Sequence, residues 1–358
     1  MLDEDPGFKQ EIISKIEAET IDWLKFSEDC SEHLIIPSIY LKFRSHNILD
    51  YLPEAFAEYL KYIYDLNLSR NNRILEQLHD ITYTLNENNI HPVFLKGAGN
   101  LLDGLYSDIG ERILGDIDFL VPEKDLLKSA KLFEAEGYLP SEPYPYIDIT
   151  TWRHYPPMSK TGQVDIEIHH QLSEFQLNWF NPGIIDLDKK KIESLKGCYV
   201  PADKHKIIHN FVHSQLDNEG HSYGRVSFRD LYDLYLITKR TNLQQTLHQI
   251  KSRQKAIAYF VFAGKAFGIP ARFYSKNTFS ARVFKIKHDL NLCSSTFYYT
   301  NRSIVYLVKR IVIGHTTQII MSFYSQKVRQ SVTNRLKDRK WYRTRLQTYI
   351  AFFTRNKK

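Results

Sequence analysis

The sequence predicts an α+β protein: a small mixed sheet embedded between helical segments. Three observations carry this expectation. Apolar residues recur at helical spacing through residues 8–88 and again beyond about residue 203. Between these stretches, roughly residues 90–175, short apolar runs stopped by Gly or Pro read as strands. No stretch reaches the roughly 18 uninterrupted apolar residues of a membrane-spanning helix.

Taken in order, Phe56, Leu60, Ile63 and Leu66, then Ile74, Leu78 and Ile81, mark one long helical face. Pro92 ends that pattern, and "PVFLKG" is a short strand stopped by Gly97, with "NLLDGLY" following as a brief helix. "DIDFLV" is a second strand, closed by Pro122. From Glu123 a helix resumes with Leu126, Leu127, Ala130 and Phe133 on one face and Gly137 as its stop. "RHYPPM" and "QVDIEIHHQL" bracket Thr161-Gly162 as two strands meeting at a turn. Three helical stretches follow, and Pro270 breaks the last of them before a basic, aromatic-rich helical tail. The expected organisation is therefore a helical segment 1–89, a core 90–200, a helical substrate-side segment 201–270 and a basic C-terminal segment 271–358.

Composition narrows the function classes. At 358 residues the chain can bury a sizeable core. Cys30, Cys198 and Cys293 are far apart and form no CxxC pair, which argues against a disulfide framework or a structural zinc site and suits a reducing compartment. The start, MLDEDPGFKQ, is acidic and has no apolar signal region, so a cytoplasmic location is expected. Charge is unevenly spread. Of 48 Lys and Arg, 23 lie in residues 251–358, leaving 25 before them; of 41 acids only Asp289 and Asp338 lie there, leaving 39. Such a block meets an anion, either nucleic acid, an acidic membrane surface or the acidic part of its own chain.

The chemistry concentrates in "RILGDIDFLVPEKDL". Side chains at i and i+2 of a strand share a face, so Asp116 and Asp118 project together. Burying two adjacent unpaired anions costs several kcal/mol each, and a shared divalent cation removes that cost. Magnesium suits the pair, because it takes few protein carboxylates and leaves its other positions to water and phosphates. The turn "FLKGAGN" places Lys96 and Gly97 before a helix start, where backbone N–H groups favour a phosphate. In "VDIEIHH" the same alternation puts Asp165, Glu167 and His169 on one face. A third carboxylate beside the first two completes a two-metal arrangement for in-line phosphoryl displacement.

These residues resemble a family. "FLKGAGNLLDGLYSDIGERILGDIDFLVPEKDL" is similar to a bacterial nucleotidyltransferase branch of the DNA polymerase beta-like superfamily. That branch has a Lys-Gly turn, a Tyr, an Arg four residues before the first Asp, and Asp-x-Asp. Lys96-Gly97, Tyr106, Arg112, Asp116 and Asp118 match in that order. His154 and Glu167-Ile168-His169 match the branch's later strands, and Asp233 is the corresponding residue of its helical part. The resemblance implies a nucleotidyltransferase-type sheet and transfer of a nucleoside monophosphate from an NTP such as ATP to an acceptor hydroxyl, with release of pyrophosphate. It assigns Asp116, Asp118 and Glu167 to two magnesium ions, with manganese as a substitute, and Lys96, Gly97, Ala98 and Arg112 to the nucleotide. The chain departs from the pattern at Ala98, where Ser or Gly is usual, and at Glu167, where Asp is usual. Either Glu167 or Asp165 therefore serves as third carboxylate and base.

The acceptor remains open among an RNA end, a protein hydroxyl and a small sugar-like molecule. An alternative keeps the fold without catalysis and binds nucleic acid or an anionic membrane surface through the tail. There Trp341, Tyr342, Tyr349, Phe352 and Phe353 interleave with bases, suiting either base stacking or a lipid interface. His205, His209 and His213 form a stripe four residues apart on a helix, facing either solvent or the site. Arg112 either clamps a triphosphate or pairs with Asp116, and Tyr106 is expected to pack.

Overall fold

The computed structural model describes residues 6–141, 153–174, 177–269 and 278–308, then 312, 314–324, 326–340, 342–344, 346–347 and 350. Pro270, Trp341, Tyr349, Phe352 and Phe353 lie outside them. Helices α1 (Pro6–Glu17), α2 (Trp23–Glu32) and α3 (Ile36–Ser45) precede the long α4 (Glu54–Glu87). On α4 the buried positions run Phe56, Leu60, Tyr64, Asn67, Asn71, Ile74, Leu78, Ile81 and Leu85, steps of three or four that hold one face inward for the whole helix. Leu66, expected on that face, is exposed, because the stripe passes through Asn67 instead.

After α4 come β1 (Val93–Phe94), α5 (Lys96–Leu102), β2 (Ile117–Leu120), α6 (Leu126–Ala135), β3 (Leu139–Pro140), β4 (Met158–Ser159) and β5 (Ile166–His169). The inner face of α6 is Leu126, Ser129, Ala130 and Phe133; Leu127, expected there, is exposed. Gly137 ends this segment with φ +91°, a conformation that glycine adopts without strain. Next are α7 (Pro182–Asp188), β6 (Lys190–Lys191), β7 (Tyr199–Val200) and α8 (Asp203–Phe211), which runs directly into a π-turn, Val212–Asp217. The described chain ends in α9 (Gly220–Tyr223), α10 (Phe228–Thr238), α11 (Leu243–Leu247), α12 (Arg253–Phe267), α13 (Phe279–Cys293), α14 (Ser295–Tyr306), α15 (Gly314–Tyr324) and α16 (Gln326–Lys337).

The mixed sheet has the order β3-β4-β5-β2-β1-β7-β6. At its centre β2 runs antiparallel to β1 and parallel to β5, with Asp118 opposite Glu167 in register. Ile117 and Phe119 point into the main core, where Phe119 meets Phe94 and Phe133 with ring centroids 5.8 Å away in each case. A smaller core joins α1–α3 to the first half of α4 through Ile36, Phe43, Phe56 and Leu60. The second half of α4 belongs to the main core, which extends to Phe284 on α13. Thus α4 ties the two cores together. Among the described residues, no helix is long and apolar enough to cross a membrane.

Because Phe119 is the aromatic hub under the carboxylate strand, Phe119→Ala should destabilise the fold by about 3–5 kcal/mol. Denaturant unfolding would measure this, and a loss below about 1 kcal/mol would show that the sheet does not rest on that contact.

Candidate active site

Strand alternation sends Ile117 and Phe119 inward and leaves Asp116 and Asp118 facing a cavity of about 350 Å³. Asp118 is only 2% exposed. A carboxylate so buried needs partners, and it has two. Lys96 Nζ donates to Asp118 Oδ1 at 2.6 Å, and His169 Nε2 lies 2.9 Å from the same oxygen. Burial alone would raise the Asp118 carboxyl, but Lys96 and His169 hold it well below the usual carboxylate range. Asp116, half-buried just before β2, is pushed upward by burial and by the Asp118 charge.

Glu167 joins from β5. Its Oε2 is 3.3 Å from His169 Nε2 and 3.9 Å from His154 Nε2. Burial opposes its charge, yet the His169 contact, together with the charges of His154 and Lys96, holds the carboxyl low. Ligand atoms of Asp118, Glu167 and His169 all fall within 4.8 Å of one another. Asp165 stands elsewhere. It precedes β5, is exposed and lines a separate cleft with Arg70, Arg73 and Asp80.

The Lys-Gly turn is built by close approach. Lys96 adopts φ +48°, in the left-handed region that non-glycine residues rarely occupy. At Gly97 a Cβ would come within 2.9 Å of Arg112 Nη1, so the missing side chain lets the guanidinium lie over the turn. At Gly99 a Cβ would meet the Phe94 carbonyl oxygen at 2.3 Å, which excludes any larger residue. The Ala98 side chain is buried in the main core.

Arg112 pairs with Asp233, not with Asp116. Its Nε lies 3.2 and 3.1 Å from the two Asp233 oxygens, Nη2 donates at 2.8 Å, and Nη1 donates to the Ile113 carbonyl at 2.8 Å. Tyr106 completes the group by donating its hydroxyl to Asp233 Oδ1 at 2.9 Å. Burial opposes the guanidinium charge, but Asp233 beside it keeps the group ionised. The loop that carries Arg112 is gripped from α4: Asn67 donates to Gly110 and Arg112 carbonyls, and Asn71 to those of Ile109 and Arg112.

Along α8 and the π-turn after it the histidine stripe divides. His205 turns to Asp188, 2.6 Å away, while His209 and His213 line the cavity. Burial, with Lys96 and His169 nearby, lowers His209 to about 3, so it is neutral. Four charged cavity residues escaped the sequence reading: Arg153, Lys206, Arg229 and Asp230. A signal existed for two of them, since "RDLYD" sets Arg229, Asp230 and Asp233 on an otherwise apolar helix.

Residues 19–275 match the family described as uncharacterised nucleotidyltransferase. The chain belongs to that family. The match spans the sheet, the cavity and the helices around it, and stops before the basic C-terminal helices. The protein is thus an enzyme of nucleotidyl transfer, with an NTP as donor. Among solved structures, this nucleotidyltransferase is similar to the antibiotic-resistance factor ANT(2'')-Ia, whose solution structure reveals substrate-regulated conformation dynamics. Identity is 12% and the TM-score 0.37, over 55% of this chain and 98% of that one. No curated protein shows significant sequence similarity to the nucleotidyltransferase.

The buried neutral His209 has a pH signature. Its folded-state value lies below that of an unfolded histidine, so its contribution to stability is complete above pH 6.5 and is lost as pH falls below it. Each such group contributes a slope of about 1.4 kcal/mol per pH unit in that window. Unfolding measured in EDTA from pH 7 to 4.5 should show a smaller loss in His209→Gln than in the unmodified chain. Equal slopes would mean that His209 takes up its proton in the folded state.

Proposed function

We propose that the nucleotidyltransferase moves a nucleoside monophosphate from an NTP to an acceptor hydroxyl, with magnesium and with release of pyrophosphate. One observation carries the proposal: Asp118, Glu167 and His169 present ligand atoms within 4.8 Å of one another, beside the Lys96-Gly97 turn. The donor set fits a hard divalent cation. Asp118 and Glu167 offer carboxylate oxygens, Asp116 faces the same cavity, and magnesium needs only one or two such groups. Asp116, Asp118 and Glu167 would hold the metal, and manganese would substitute for it. Bound there, the metal would neutralise triphosphate oxygens and stabilise charge on the attacking and leaving oxygens.

The remaining roles fall to the chain itself. Lys96 and the Gly97 turn, with the backbone at Ala98, hold the triphosphate. Three of the five N–H groups of Arg112 go to Asp233 and Ile113, and the other two are what it can offer a phosphate. Glu167, rather than the outlying Asp165, takes the proton of the acceptor hydroxyl. His169, packed against both carboxylates, keeps them in place. A cytoplasmic location and an anionic acceptor such as RNA, met by the basic C-terminal segment, belong to the same reading; Phe323 and Tyr324 on α15 are largely exposed there.

Calorimetry and turnover test these roles together. Asp116→Asn and Asp118→Asn should each lose magnesium-dependent NTP binding or turnover while staying folded. Glu167→Gln should lower turnover by at least the roughly 100-fold typical of a positioned base, and Asp165→Asn should have little effect. Unchanged Mg-NTP affinity in both Asn variants would remove the metal role, and the opposite ranking of the last two would move the base to Asp165.

A further inference from the structure

Among the described residues, five lysines and arginines line the cavity: Lys96, Arg112, Arg153, Lys206 and Arg229. Four of them are committed to an acid. Lys96 donates to Asp118 at 2.6 Å, Arg112 Nη2 to Asp233 at 2.8 Å, Arg153 Nη1 to Asp217 at 3.2 Å, and Lys206 to Asp103. Arg229 on α10 differs. Its Nε stands 3.7 Å from Asp230 Oδ1, beyond hydrogen-bond reach. Its one hydrogen bond among the described residues runs from Nη1 to the Ile113 carbonyl at 3.3 Å. With 23% of its side chain exposed, it is also the most open of the group.

The Arg229 guanidinium lacks a close anion. Nε is enclosed, so the Nη2 amino group, which no described residue takes, is what this side chain presents to the cavity. Burial and the neighbouring Arg112 charge outweigh the attraction of Asp230, Asp233 and Asp116 and disfavour its ionised form. A bound polyanion would offset that cost.

Two contacts fix where such an anion would lie. The Ile113 carbonyl that accepts from Arg229 also accepts from Arg112 Nη1, at 2.8 Å. Arg112 Nη1 in turn lies over the Lys96-Gly97 turn, 2.9 Å from where a Gly97 Cβ would stand. Arg229 therefore flanks the turn that holds the triphosphate in the transfer reading. In that reaction the bond between the α-phosphorus and the oxygen joining it to the β-phosphorus breaks. The electron pair stays on that oxygen, so negative charge grows on the departing pyrophosphate. A cation already in place there stabilises the transition state more than the bound substrate.

We propose that Arg229 binds the pyrophosphate half of the NTP and stabilises it as it leaves. This rests on the nucleotidyl-transfer reading and adds the residue that meets the leaving group.

The test titrates three kinds of ligand calorimetrically into the full chain with Mg²⁺: non-hydrolysable analogues of the four common NTPs, the matching monophosphates, and inorganic pyrophosphate. Arg229→Gln should weaken the bound NTP analogue and pyrophosphate by about tenfold or more, the size of a lost charge-assisted contact. Arg229→Lys should lose less, because it keeps the charge while giving up the planar fork. The monophosphate carries the nucleoside and α-phosphate without the tail, so its affinity should stay within about twofold in both variants. Turnover at saturating NTP should also fall in Arg229→Gln, since the contact strengthens as charge develops. NTP-analogue affinity unchanged in Arg229→Gln, an equal loss of monophosphate affinity, or lysine no better than glutamine would each overturn the assignment. Failure of the transfer reading itself looks different: the unmodified chain would bind no Mg-NTP.

Discussion

The site is organised around one costly placement, the Asp118 carboxylate buried on the central strand of the sheet. An ionised group so enclosed is tolerated only when it is paired and hydrogen-bonded. The chain meets that demand from both neighbouring strands. From the turn after β1 comes Lys96, which accepts a left-handed backbone to reach the carboxylate at 2.6 Å. From β5 comes His169, with Glu167 directly opposite Asp118 in the parallel register. The strain at Lys96 and the crowding of like charges are local costs, concentrated around one cavity.

A second buried ion pair fixes the outer wall of the cavity. Arg112 and Asp233 are 121 residues apart in sequence, and their contact joins the loop before β2 to α10. Breaking one partner of such a pair would leave a buried charge alone, which is why the loop needs rigid support. That support is polar. Asn67 and Asn71 interrupt the apolar stripe of α4 to hold the carbonyls around Arg112, and Tyr64 donates to Asp108 in the same loop. A single helix thus carries the junction of two cores and the seat of the arginine. The arrangement suits catalysis by positioning, since nucleotidyl transfer asks for fixed charges more than for covalent chemistry by the protein.

Much of the central site was legible because strands alternate. The i, i+2 rule paired Asp116 with Asp118 and placed Glu167 and His169 on a common face, and the mixed sheet between helices followed from Gly and Pro punctuation. The same rule could not separate Glu167 from Asp165, because it does not say where a strand begins; β5 starts at Ile166 and leaves Asp165 outside the cavity. Periodicity misplaced Leu66 because two buried asparagines continue the face of α4 that apolar residues begin. Contacts between distant segments were invisible for a simpler reason. Nothing near Arg112 in the chain names Asp233, and nothing near Arg153 names Asp217, since only folding brings them together.

The central claim is that the cavity carries a nucleoside monophosphate, not a terminal phosphate, to its acceptor. It is tested most directly with NTP labelled in turn on the α- and the γ-phosphorus, incubated with the protein, magnesium and a fractionated cell extract. The account predicts α-label in the acceptor fraction and γ-label in pyrophosphate, in equal amounts and only with the metal present. Transfer of the γ-label to the acceptor, or release of γ-label as inorganic phosphate with no labelled acceptor, would contradict it.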